Sequence, residues 1–168
     1  MIRALRLTLV LLLITTTGCR FYYGMWRGDF SGDPSSYAQR AEKLRASGDL
    51  EGALEAYRKH FERRLSDPRR PSDENPYFYY LPIGDVLLQM GKAQEAKESY
   101  VTAKEHEVDA ALVIDRIRQL ADHYVTKKEY AEALKILRAY RSMDVDIFDA
   151  DIDALHKKSV AEEDHYAR

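Results

Sequence analysis

Leu50, Ala53, Leu54, Tyr57 and Phe61 fall at i, i+3, i+4, i+7 and i+11 with polar residues between them. That is the apolar stripe of an amphipathic helix. Tyr130, Ala133, Leu134, Leu137 and Tyr140 lay down the same stripe further along, and Phe148, Ile152 and Leu155 place a third on a last helix over 144–165. Between them, Tyr80 to Ala103 reads as two helices joined at Met90-Gly91. Gly91 can take the left-handed conformation that ends the first helix, and Gly84 and Ala96 are small enough for two backbones to approach. Asn75 before Pro76 is a cap and first-turn pair for the helix carrying the YFYYLP run. Pro82 is compatible with that helix only if it starts near Leu81 or bends there. The pattern predicts an all-α chain.

The spacing of the central segment recurs on both sides. Upstream stand Tyr37, Ala41, Leu44, the turn Ser47-Gly48, Ala53 and Tyr57, with Arg40 where an apolar residue is expected. Downstream stand Ile117, Leu120, Ala121, Tyr124, the turn Lys127-Lys128, Ala133 and Leu137. The first positions, Tyr37, Tyr80 and Ile117, lie 43 and 37 residues apart. Tyr80-Ile83-Gly84-Leu87 followed by Ala96 and Tyr100 closely resembles the W-x2-L-G-x2-Y…A-x3-F spacing of a tetratricopeptide repeat, whose period is about 34 residues. The excess in the first interval matches residues 66–76, SDPRRPSDENP, which three prolines mark as a loop. The resemblance implies a right-handed superhelical array of antiparallel helix pairs over residues 37–165. It would hold about three repeats and a capping helix with a wet outer face. Tyr57, Tyr80, Tyr100, Tyr124 and Tyr140 then belong to the core rather than to a site.

The resemblance also implies a concave groove on the first helix of each pair. Carried onto this chain, its positions are Ala38, Glu42 and Arg45, then Phe78, Leu81, Asp85 and Leu88, then Asp115, Arg118 and Asp122. An apolar strip of Phe78, Leu81 and Leu88 rimmed by Glu42, Asp85, Asp115 and Asp122 would suit an amphipathic or basic segment. The lysine and asparagine set with which some family members clamp a carboxylate is absent.

The first nineteen residues change the picture of where the chain works. Arg3 and Arg6 precede an apolar run from Leu7 to Ile14, and small residues lead to the only cysteine, Cys19. This is the three-part pattern of an export signal, with an apolar run too short to span a bilayer stably. Thr17-Gly18-Cys19 resembles a bacterial lipobox, with Thr16 where leucine is usual. The resemblance implies acylation of Cys19 and cleavage before it, leaving 1–18 as signal peptide. Arg20, in place of the aspartate that retains such proteins at the inner membrane, favours the periplasmic side of an outer membrane in a two-membrane cell. The mature 150 residues would carry 24 basic and 28 acidic side chains, a net of −4. Residues 19–36 form a tether with Phe21, Tyr22, Tyr23, Trp26 and Phe30 among glycines, without helical or alternating period. Two readings of those aromatics stand, at a membrane interface or folded against the first helices.

Composition narrows the chemistry. The formal net charge of −2 argues against a nucleic-acid binder, and one cysteine allows no internal disulfide. The five histidines are scattered without zinc-ligand spacing, and no phosphate loop or nucleophile elbow is present. Asp122-His123-Tyr124 combines acid and base types, but neighbours on a helix diverge. Asp149, Asp151 and Asp153 have the alternate spacing of a calcium loop, yet Ala154 and Val160 stand where its glycine and glutamate belong. These acids fit a helix N-terminus instead, where the macrodipole favours them. The sequence therefore predicts a non-catalytic, lipid-anchored envelope adaptor without metal or cofactor, binding another envelope protein or peptide segment. A structural subunit that oligomerises through the tether and convex face is the alternative.

Overall fold

The computed structural model describes residues 37–166, which form seven α-helices and no strand among the described residues. The helices are α1 (Tyr37–Ala46), α2 (Leu50–Ser66), α3 (Tyr80–Gln89), α4 (Ala93–Glu105), α5 (Ala110–Thr126), α6 (Tyr130–Tyr140) and α7 (Val145–Tyr166). Short 3-10 turns at Pro76–Tyr79 and Arg141–Met143 precede α3 and α7. The expected signal peptide, Cys19 and the aromatic tether lie outside the described residues.

The helices pack as three successive hairpins, α1 with α2, α3 with α4 and α5 with α6. Each hairpin turn is closed the same way. The amide of Gly48 donates to Arg45 O and that of Asp49 to Leu44 O; Gly91 and Lys92 repeat this onto Leu88 and Leu87, and Lys128 and Glu129 onto Val125 and Tyr124. This pair of bonds is a Schellman cap and needs a left-handed residue at its centre. Gly48, Gly91 and Lys128 supply it at φ +86°, +78° and +62°. Counted from these three residues, the hairpins share one register. The alanine five positions on (Ala53, Ala96, Ala133) is fully buried in each, where the second helix meets the first.

The core runs through the hairpins without a break, from Ala41 to Leu155. Tyr57, Tyr100, Leu87, Ile117, Leu120 and Phe148 are among its largest fully enclosed side chains. Tyr80, Tyr124 and Tyr140 are half-buried and pack against it. A Cβ on Gly84 would lie 2.3 Å from Tyr100 Cε1, so this glycine is what lets α3 and α4 close.

One local expectation changes and another is met. Asn75 does cap a helix start, its Oδ1 accepting from Tyr77 N at 3.0 Å, but the element is the 3-10 turn. The α-helix begins at Tyr80, which puts Pro82 in its first turn, where no intrahelical amide is required. The proline-rich loop is organised around Arg64, which pairs with Glu74 and Asp67, while Arg70 donates to Arg64 O at 3.0 Å. At the far end, Asp144 Oδ1 accepts from Ile147 N at 3.0 Å, so an acid does cap α7.

Candidate functional site

The first helices of the hairpins are cross-linked by polar bridges. Arg45 Nε on α1 donates to Gln89 Oε1 on α3 at 3.1 Å. Arg116 on α5 reaches Asp85 on α3 through Nη2 at 3.2 Å and Nε at 3.3 Å. Arg118 on α5 pairs with Asp151 on α7 at 2.6 Å. Each contact joins residues more than thirty apart in sequence, so each is a property of the fold and not of any one helix.

An open cleft of about 450 Å³ lies along this row. Its lining comes from α1 (Arg45), α3 (Asp85, Leu88, Gln89), the turn residue Gly91, and α5 (Gln119, His123, Lys127). The volume falls in the range of small ligand and peptide subsites. Leu88 supplies an apolar contact, and the Gln89 and Gln119 amides offer donors and acceptors.

The one carboxylate on the wall is already engaged. Asp85 is held by Arg116 on one side and accepts from the Tyr100 hydroxyl at 3.0 Å on the other, leaving its side chain 11% exposed. Burial, with Asp85 next in effect, pushes the Tyr100 hydroxyl far above the ordinary tyrosine value, so it stays a donor. Glu42 is engaged in the same way one hairpin earlier, accepting from Tyr57 OH at 2.6 Å. Burial and the carboxylate likewise raise Tyr57. His123 is pushed below the ordinary imidazole value, first by burial and then by the nearby Lys127 ammonium, which keeps it neutral near pH 7. Its Nε2 is enclosed and has no hydrogen-bond partner among the described residues. Arg45 and Lys127 carry the positive charge of the cleft, and neither is ion-paired with a carboxylate among the described residues.

The expected groove is thus divided. Arg45, Asp85 and Leu88 do meet in the cleft. Leu81 does not; at 1% exposure it is a core side chain, because it faces inward in the first turn of α3. Phe78 stands on the 3-10 turn, 38% exposed, in edge contact with Tyr79. Arg118 and Asp122 border a separate recess of about 230 Å³ between α5, α6 and α7, where Asp151, Leu155 and Lys158 face them. Asp115 is exposed on α5; the Arg118 guanidinium holds its proton more firmly chiefly through its bond to Asp151, with Asp115 and Asp122 adding to this. Leu81 thus drops out of the expected apolar strip. Of the four rim acids, Glu42 and Asp85 accept from tyrosines, while Asp115 and Asp122 stand exposed on α5.

Gln89, Gln119, His123 and Lys127 are the cleft residues that sequence reasoning missed. The signal was available in part: Gln119, His123 and Lys127 are spaced four apart and so share one face of α5. Asp149 and Asp151, the start of the calcium-like spacing, are taken by Arg141 and Arg118 on different elements. No helix among the described residues is long and apolar enough to cross a membrane. No protein-family model and no curated protein matches this chain.

Proposed function

We propose that the chain is a lipid-anchored envelope adaptor. Its three hairpins form a right-handed superhelical array of the tetratricopeptide kind and hold a segment of another envelope protein, without chemistry of their own. The observation that carries this is the origin of the cleft: every side chain that walls it belongs to a first helix or its turn, and all three hairpins contribute. A solenoid presents that succession of helices as its extended binding surface. The shared Schellman turns and the row of bridges from α1 through α3 and α5 to α7 support a regular stacking of pairs. Acylation of Cys19 would fix the array at the membrane, since several acyl chains on one residue exceed what stable anchoring requires.

Photo-crosslinking in intact cells tests the adaptor role. A photoreactive residue in place of Gln119 should give one discrete adduct with a different protein, and the same residue in place of Glu62 on α2 should give none. Equal adducts from both positions, or an adduct only with a second copy of this chain, would remove the cleft from the function. For the anchor, uptake of a fatty-acid analogue should be seen in the wild type and be lost in Cys19→Ser. A wild type that takes up no label ends the lipoprotein assignment.

A further inference from the structure

The charge on the cleft says what kind of segment it takes. Of its charged residues, Asp85 is neutralised within the fold by Arg116 and capped by Tyr100. Neither cation is ion-paired with a carboxylate among the described residues. Arg45 gives its Nε to a neutral amide, Gln89, and shares the Tyr57 hydroxyl with Glu42. Lys127 is exposed at the end of α5 and has no ion pair among the described residues. A cation held at the wall of a cleft whose one lining carboxylate is already committed attracts anions to it. Gln89 and Gln119 add the donors and acceptors that an extended peptide backbone or a side-chain carboxylate can meet. Leu88 adds a small apolar contact to the lining.

From this lining, and resting on the adaptor role above, we propose that the occupant is an acidic segment of a partner protein, its carboxylates paired with Arg45 and Lys127. The polarity differs from the amphipathic or basic segment that the acidic groove positions suggest when read from sequence alone. Two of those four acids, Glu42 and Asp85, accept from tyrosines of their own hairpins.

The test uses the full chain in a neutral detergent and a fluorescent heptapeptide of glutamates around one leucine, with its lysine counterpart as control. Fluorescence anisotropy should show binding of the glutamate peptide and not of the lysine peptide, weakening as salt is raised. Arg45→Gln with Lys127→Gln should weaken binding about tenfold or more, the scale of losing one or two charge-assisted hydrogen bonds. Lys127→Gln alone, at an exposed position with no structural bond to lose, should weaken it by a smaller factor and guards against misfolding of the double variant. Equal binding of both peptides, or unchanged affinity in the double variant, overturns the proposal. So does binding of vesicles containing anionic lipid through Arg45 and Lys127 without binding of the peptide. If the peptide binds as expected while Gln119 gives no adduct in cells, the adaptor role falls and the charge preference of the cleft stands.

Discussion

The first two hairpins and the third are built to one register, yet they finish their interiors differently. Nine positions after each turn residue stands Tyr57, Tyr100 or Leu137, all buried. Six positions before it stands Glu42, Asp85 or Asp122. In the first two hairpins the tyrosine crosses to the acid and donates to it. In the third there is no hydroxyl to donate, and Asp122, exposed as Glu42 also is, lies beside Arg118 and the recess under α7. One residue type at one repeat position therefore has two physical roles. A buried tyrosine must find an acceptor for its hydroxyl, and in the first two hairpins an acid of the first helix supplies it. Leucine makes no such demand.

The largest consequence falls on Asp85. Asp85→Ala leaves the enclosed Tyr100 hydroxyl without its acceptor and Arg116 without its partner. Unsatisfied buried groups of this kind cost about 1–3 kcal/mol each, so a total loss of about 2–3 kcal/mol is expected after partial solvent access is allowed for. Asp122→Ala, at the equivalent place in the third hairpin, should stay within about 0.5 kcal/mol. Urea unfolding of the two variants measures both. Similar losses would mean that the tyrosine–acid bond does not distinguish the hairpins.

Next comes the backbone approach that the same tyrosine enforces. Gly84 faces the Tyr100 ring, whereas Ala41 and Ala121 hold the equivalent places opposite Tyr57 and Leu137. Gly84→Ala places a methyl group 2.3 Å from Tyr100 Cε1, inside any allowed contact, and that ring is fully enclosed. Overpacking of about 1–3 kcal/mol outweighs the roughly 1 kcal/mol that alanine gains over glycine in a helix. A net loss of about 1–2 kcal/mol in thermal or urea unfolding is expected. A stabilised variant would show that α3 and α4 can separate at little cost.

Much of this was legible beforehand because helix periodicity and turn chemistry are local. The stripes of α2, α6 and α7, the turns at Gly48, Gly91 and Lys128, and the buried Ala53, Ala96 and Ala133 all follow from spacing within a few residues. The site was less legible. Whether Leu81 points into a groove or into the core depends on how α3 is rotated against its neighbours, and spacing within α3 cannot fix that rotation. The bonds of Glu42 and Asp85 to tyrosines fifteen residues away, and of Asp85 to Arg116 thirty-one away, exist only once helices have packed. Sequence position picks out the acids, but the tyrosines and the arginine that meet two of them come together only in the packed helices.

Alkaline pH separates the hairpins by a third route. Tyr57 and Tyr100 have folded values above the unfolded value near 10, because burial and then a carboxylate disfavour the phenolate. Their contribution is complete below pH 10 and is lost as pH rises above it, since only the unfolded chain can then ionise them. Each group adds a slope of up to about 1.4 kcal/mol per pH unit. Tyr57→Phe with Tyr100→Phe should flatten the fall in stability above pH 10, leaving the part due to Tyr140, which burial and Glu105 also raise. An unchanged alkaline profile in the double variant would show that neither hydroxyl is held in its protonated form by the fold.

The smallest effect lies at the turns, where the contrast between hairpins reverses sides. Gly48 and Gly91 adopt left-handed backbone at no steric cost, and nothing lies within 4 Å of where their Cβ would be. Gly91→Ala therefore measures the backbone cost alone, about 1 kcal/mol. Lys128 already bears that cost at φ +62° in the third hairpin. Lys128→Gly relieves it, against the freedom that glycine adds to the unfolded chain and the loss of whatever its side chain contacts. A gain of a few tenths to about 1 kcal/mol is expected. The sign matters more than the size. If Lys128→Gly destabilises while Gly91→Ala also does, the third turn depends on the lysine side chain, and the three hairpins share their bond pattern without sharing what stabilises it.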